Sequence, residues 1–375
     1  RAENVWMLVD SRTEGLKTGE ESRYIKQLEY HFRLPVRRFV VKFGGMRTIR
    51  PADIAKAESD VAVIKSTALS ATTIQNYLAC PAKFYYSTVK GLRPEEEVAE
   101  SLDYGMFGTI YHETMRSIYY GEEAMAEDFF FNEKEYLSSM QDGPMNRISR
   151  EYIKSWLSRI PSIRMKVRAL IMRELNTIDV TGRNLIVSDV IVRYVEKTLR
   201  RDLEMLEASG RMHFEILGQE IRVNGKFCGQ SFKGFIDRLD SIESGQIRVV
   251  DYKTGKVLDE DENINDDNAE TIADSIFSPE TKERPKIALQ FFIYDMLLQS
   301  DPRIKGRTLS NCVYSTARLF RNSPVSVPLN KKFYDAVSQR LELLLQEMYD
   351  TSVPFRRTDD DKTCTYCDFK MICGR

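Results

Sequence analysis

Three strand patterns follow one another between residues 214 and 254: FEILGQEIRV (214–223), SFKGFIDRLDSI (231–242) and QIRVVDYKT (246–254). Glycine-bearing turns separate them, with Ser244-Gly245 between the last two. Short apolar runs bounded by such residues read as strands joined into hairpins. Strands joined this way lie side by side, which brings together Asp237 and Asp251 although thirteen residues stand between them. The third strand ends Asp251-Tyr252-Lys253, and strand side chains alternate with period two, so Lys253 returns to the face of Asp251. Charges at the end of a buried strand are costly unless they are paired or bind a cation. The tripeptide therefore fits an ordinary surface ion pair or a coordination site. In the second case two carboxylates and a peptide carbonyl make an oxygen-rich site suited to Mg2+ or Mn2+. A lysine beside it can orient a water and offset charge developing on a phosphate.

The surrounding chain mixes helix and strand. LSATTIQNYLACPAKFYY (69–86) reads as a helix capped by Ser70 or Thr72 and broken near Pro81. MFGTIYHETMRSIYYG (106–121) is a helix stopped by Gly121, and a long, mainly helical section runs over about 122–210. After the three strands come a helix, PKIALQFFIYDMLLQ, a strand, LSNCVYST, and a last long helix over about 330–350. The first 62 residues look separate: NVWMLVD and VRRFVVKF are strand patterns around a loop and helix, and RPADIAKAESDVAVIKSTA is a connector. The expected organisation is an α/β fold with a small N-terminal α/β part at 1–62 and the main domain at 63–375.

Charge is uneven although the net charge is −1. Eight Lys or Arg residues against the single acid Glu151 lie between Arg147 and Arg173, and Lys197, Arg200 and Arg201 follow. Such a face is either a solvated helix surface or a track for a phosphate backbone. The run LDEDENINDDNAETIAD (258–274) is acidic and poorly patterned, and reads as a mobile surface loop. At 42% hydrophobic and 30% charged, the chain has the make-up of a globular protein with a sizeable core. No apolar run approaches the ~18 residues that span a bilayer, and no secretory leader is visible, so a cytoplasmic protein without a membrane partner is expected. The chain begins with Arg rather than Met, and is read as a piece of a longer protein.

Three of the six cysteines, Cys364, Cys367 and Cys373, crowd the C-terminus as C-x2-C-x5-C. In a cytosolic chain that crowding points to metal or cluster ligation rather than disulfides. Zinc with a fourth ligand and an iron–sulfur cluster both accept thiolates, and spacing alone does not separate them. Cys228 and Cys312 lie in strand-like surroundings and read as ordinary buried thiols.

Taken together, GFID followed by VVDYKTG resembles the core of the PD-(D/E)XK nucleases, and more closely their RecB-like exonuclease branch. GTIYHETM resembles that branch's N-terminal helix motif, which makes His112 a metal ligand beside Asp237, Asp251 and the Tyr252 carbonyl. QFFIY resembles its Q-x-x-x-Y helix motif, placing Gln290 and Tyr294 near the DNA or the catalytic lysine. The cysteine segments resemble those of its iron–sulfur proteins, so Cys80 would join Cys364, Cys367 and Cys373 around a 4Fe-4S cluster stapling the C-terminal tail to the opening helix. Glu220 reads equally as an outer partner of metal or water and as a solvent-facing strand acid. A strand ending near Asp10, with Gly19, Glu20, Ser22 and Arg23, resembles the last motif of a helicase-like motor and points to AddB-like subunits of helicase–nucleases. No G-x-x-x-x-G-K-[ST] loop occurs, so ATP hydrolysis by this chain alone is not expected. The resemblance implies a restriction-endonuclease-like core, a mixed central sheet flanked by helices with a large helical insertion. It also implies a Mg2+-dependent exonuclease acting on single-stranded or ended duplex DNA beside a helicase–nuclease partner subunit, in double-strand break repair and recombination. A non-catalytic DNA-end scaffold and a zinc-stapled interaction module are the rivals.

Overall fold

The computed structural model describes residues 6–7, 13–14, 17–18, 22–39, 52–94, 101–120, 146–243, 245–281, 283–299, 301, 304–321 and 324–374. Residues 1–50 make one compact unit and 51–375 another. In the first, β1 (Thr13–Glu14) pairs antiparallel with β2 (Lys17–Thr18), and α1 (Arg23–Lys26) is capped by Ser22, whose hydroxyl accepts from the Tyr24 amide. The expected strand over 36–43 does not form where it is described, at 36–39, and Trp6 and Met7 are equally irregular. Apolar alternation is only a tendency until a neighbouring strand takes up its backbone groups. Asp10, Gly19 and Glu20 of the motor-like motif lie outside the described residues.

The second unit begins earlier than residue 63. Ile54 bridges Phe355 through two backbone hydrogen bonds (3.2 and 2.8 Å), and Lys56 Nζ donates to the Glu347 carbonyl at 2.7 Å. Residues read as connector are therefore part of its packing. Short helices open it: α2 (Glu58–Ser66), α3 (Ala71–Ala79) and α4 (Pro81–Phe84). Ser70 caps α3 by accepting from the Thr73 amide, and Pro81 starts α4, where its missing N–H has no role.

A six-stranded sheet orders the rest as β3 (Asn146–Ser149), β4 (His213–Phe227), β5 (Gln230–Ser241), β6 (Gln246–Lys253), β7 (Thr308–Ser315) and β8 (Val325–Val327). All neighbours are antiparallel except β6 and β7, which run parallel. Parallel strands need a crossover, and here it carries α9 (Asp259–Glu262), α10 (Ala269–Phe277) and α11 (Lys286–Leu298). The two faces carry separate apolar clusters, Val249 in one and Val250 in the other, as the period-two alternation of β6 demands. The first cluster packs α11 and α12 (Lys331–Tyr349); the second packs α5 (Tyr104–Tyr120) with α6 (Arg150–Ser158), α7 (Ile160–Glu174) and α8 (Arg183–Ala208). A mixed sheet flanked by helices agrees with the expected restriction-endonuclease-like fold. The helical section is interrupted by β3, which no sequence pattern announced.

Two expectations are corrected, for the acidic run and for Cys228. The acidic run is not a loop: it holds α9 and much of α10, because its acids are used as backbone acceptors and ion-pair partners. Asp261 is buried, accepting from the Leu258 amide at 3.3 Å and the Ala288 amide at 2.8 Å, and Arg318 pairs with Asp259 and Glu262. Half of the basic stretch meets acids: Arg147 pairs with Glu215, Lys154 with Glu207, Arg164 with Asp189, and Arg173 with Glu113 and its own neighbour Glu174. Arg200 and Arg201 pair with Glu196 and Glu204. Cys228 is exposed, at φ +48° beside Gly229 at φ +80°, in the two-residue turn joining β4 to β5. Tight hairpin turns require such backbone, and their side chains face water. Cys312 is buried as expected.

Candidate active site

The antiparallel pairing of β4, β5 and β6 puts Glu220, Asp237 and Asp251 on neighbouring strands, and α5 brings His112 to the same place. Asp237 Oδ2 accepts from the Tyr252 amide at 2.7 Å, which locks its carboxylate to the strand carrying Asp251. His112 Nδ1 lies 3.5 Å from Asp237 Oδ2 and 4.0 Å from Glu220 Oε1, while Nε2 lies 2.8 Å from the Tyr252 carbonyl oxygen. Asp251 is only 2% exposed, and Lys253 Nζ stands 2.8 Å from its Oδ2 and 3.0 Å from its Oδ1. Gln290, on α11, donates to Asp251 Oδ1 at 2.9 Å and meets the Tyr294 hydroxyl at 2.6 Å; that hydroxyl donates to the Phe235 carbonyl. The eight residues read from sequence are thus in one place in space, and five elements build it.

Glu220 stands with His112 and Asp237. Donor atoms of His112, Glu220 and Asp237 lie within 4.8 Å of one another, whereas Asp251 Oδ1 accepts from both Lys253 and Gln290, and its buried Oδ2 lies 2.8 Å from Lys253 Nζ but accepts no hydrogen bond. Glu220 therefore belongs to the inner group rather than standing outside it. Its backbone marks the position: it sits at φ +48° directly opposite Asp237, between the paired residues Gln219–Arg238 and Ile221–Ile236. A left-handed conformation at a residue with a side chain costs roughly 1–2 kcal/mol, and such strain concentrates at functional sites.

The electrostatics are those of a compressed cluster. Burial disfavours the imidazolium, but Asp237, then Asp251 and Glu220, outweigh it and lift His112 to about 9. Burial pushes Glu220 up to about 7, helped by the charge of Asp237. Asp251 is raised by burial and by Asp237, against the pull of Lys253. Asp237 is held low because His112 and Lys253 overcome its burial, and Lys253 is raised because Asp251 and Asp237 overcome its own. Two carboxylates and an imidazole are hard oxygen and nitrogen donors, and the group fits Mg2+ or Mn2+ in its chemistry.

Beneath this cluster lies a second one that sequence reading missed. Arg238 is fully buried between Asp202 of α8 (2.9 and 3.2 Å) and Asp240 (2.8 Å), and its guanidinium donates to the Tyr252 hydroxyl at 2.9 Å. Tyr119 and Tyr314 also donate to Asp202, and Arg248 grips Asp240 through two bonds of 2.7 Å. A signal was present. In FIDRLDS, Arg238 and Asp240 share a face by strand alternation within an otherwise apolar strand, where charge is unexpected.

The cysteines converge as well. Cys80, Cys364, Cys367 and Cys373 line one pocket with Lys83, Arg357 and Phe369. Burial raises the Cys367 thiol, with Cys80 and Cys373 close enough to add to the effect. Four soft thiol donors around one space fit an iron–sulfur cluster or zinc.

A family match to the PD-(D/E)XK nuclease superfamily extends over residues 68–374. The chain belongs to that superfamily, whose nucleases typically use divalent metals such as Mg2+. It is also 24% identical over 205 residues to a protein of Rickettsia conorii described as uncharacterized, a stretch covering 51% of this chain and 19% of that protein. The match thus spans about a fifth of the length of that relative.

Proposed function

We propose that this chain carries a metal-dependent DNA exonuclease domain of the RecB-like branch, belonging to an AddB-like subunit of a helicase–nuclease that acts in double-strand break repair and recombination. Superfamily membership supports nuclease chemistry. The convergence of His112, Glu220 and Asp237 beside the Asp251–Lys253 pair is the observation that carries the reading. His112, Glu220 and Asp237 would hold Mg2+, with Asp251 and the Tyr252 carbonyl at the same site. The ion supplies Lewis acidity toward the scissile phosphate and lowers the pKa of a water. Lys253 orients that water and offsets negative charge gathering on the phosphate. Gln290 and Tyr294 position Asp251, and through it Lys253. Cys80, Cys364, Cys367 and Cys373 hold a 4Fe-4S cluster whose role is structural, tying the tail to α3 and α4.

End-labelled linear DNA tests the reading. The wild type degrades it in Mg2+ and not in chelator, and Asp251→Ala leaves it intact while keeping the wild-type circular dichroism spectrum. Undiminished digestion by Asp251→Ala sinks the mechanism. DNA binding in Ca2+ without any cleavage in Mg2+ would instead favour a non-catalytic DNA-end scaffold.

A further inference from the structure

The hairpin of β4 and β5 overhangs the sheet. β5 pairs with β4 from Ser241 to Gln230, but with β6 only over Arg238–Asp240. One face of the overhang packs on α11 so closely that a Cβ on Gly225 or Gly234 would come within 2.8 Å of Leu297 or Tyr294. The opposite face shows Arg222, Asn224 and Lys226 on β4, with Lys233 and Phe235 on β5. Arg222 stands opposite Phe235 in the register, and its guanidinium lies 5.1 Å over that ring. Phe235 is 43% exposed. Among the described residues, no ion pair engages Arg222, Lys226 or Lys233, unlike Arg147, Lys154, Arg164 and Arg173. Along this face the next acids are Glu220 and Asp237, the site itself.

We propose that this face of the β4–β5 hairpin is the track along which single-stranded DNA enters the site, with Arg222, Lys226 and Lys233 meeting phosphates and Phe235 stacking a base. The inference rests on the nuclease reading above and adds the substrate form and its path. The four strand steps from Lys233 to Asp237 span roughly 13 Å, room for a few nucleotides. Cations flanking an exposed ring match a single strand, whose bases are free to stack. In a duplex the bases are already stacked on one another, and Phe235 would gain nothing.

Binding is measured on the full chain with Ca2+ replacing Mg2+, using dye-labelled oligothymidine and a duplex of equal length, so the readout needs no turnover. The triple variant Arg222→Gln/Lys226→Gln/Lys233→Gln is expected to weaken single-strand binding at least tenfold. It should also flatten the dependence of log affinity on log salt by about 2, since each phosphate contact contributes about 0.7. Phe235→Ala should weaken binding about tenfold, the order of one lost stacked base, and Phe235→Trp should retain it. A control on the helical section, Lys154→Gln/Arg164→Gln, should bind as wild type. The proposal is overturned if the triple variant, with unchanged thermal unfolding, keeps the wild-type affinity and salt slope. It is equally overturned if the wild type binds no single strand, or if duplex binding is as tight and as sensitive to Phe235→Ala. DNA degradation in Mg2+ that survives alongside any of these results leaves the nuclease reading standing and removes only the track.

Discussion

Lys253 and Asp251 are the residues whose chemistry is most exposed to a single change. Asp251 is almost fully buried, and its nearest cation is Lys253. Lys253→Met removes the positive charge while keeping most of the side-chain volume. DNA cleavage in Mg2+ is expected to fall about a hundred- to a thousandfold, the effect of losing one preorganised charge-stabilising group. Single-turnover rates within a few-fold of wild type would exclude that role. A second buried acid acts on stability rather than chemistry. Asp295 accepts from Asn311 Nδ2 at 2.7 Å and from the Tyr334 hydroxyl, yet burial outweighs both and pushes its carboxyl up to about 6. Its unfolded value is about 3.9, so the folded state binds the proton more tightly. This group therefore destabilises the fold above about pH 6, and the penalty fades as pH falls toward 4. The stability of Asp295→Asn relative to wild type should accordingly be more favourable at pH 8 than at pH 5. Denaturant titrations at the two pH values check it, and a difference that does not change between them contradicts the assignment.

Elements, not single residues, make the site's foundation. Helix α8 reaches the sheet through one fully buried carboxylate, Asp202, against Arg238 of β5, and Arg238 in turn holds the Tyr252 ring of β6. Breaking a buried ion pair from one side strands the other charge and costs roughly 3–5 kcal/mol. Asp202→Ala is expected to lose that order of stability in urea unfolding, while substitution of the exposed Arg200 changes little. These contacts explain why the strands were easy to read and the network was not. FEILGQEIRV, SFKGFIDRLDSI and QIRVVDYKT carry their period in neighbouring residues, and they form β4, β5 and β6 within a few residues of the expected ends. The carboxylate that ties Arg238 to the helical layer, Asp202, by contrast, lies 36 residues away on a helix. The acidic run failed for the same reason: its helical turns are held by Arg318 and the Ala288 amide, which its own composition does not contain.

At the scale of the whole molecule, the ends of the second unit are brought together. Phe355 bridges Ile54, the Arg357 amide donates to Asp53 at 3.1 Å, and the tail cysteines meet Cys80 around one pocket. Closing so long a loop is entropically costly, so a group binding all four thiols in the folded state stabilises it by mass action. Cys80→Ser is expected to lower the midpoint of thermal unfolding of anaerobically purified protein by several degrees and to bleach its iron-derived colour. Colourless wild type containing zinc would replace the cluster by a zinc staple.

The sequence by itself determined which short segments become strands and helices, and which residue types carry chemistry, because both are written in local periodicity and in side-chain functional groups. It named Asp237, Asp251, Lys253, His112, Gln290 and Tyr294, and the structure brings them together. Only the tertiary structure decided how they divide: Glu220 joins His112 and Asp237, while Lys253 and Gln290 take Asp251. It also decided which basic residues meet acids: Arg147, Lys154, Arg164 and Arg173 do, whereas among the described residues no ion pair engages Arg222 or Lys233. The physical reason is that a charge acquires its partner through space, and electrostatics and burial depend on distances between elements that sequence order does not encode.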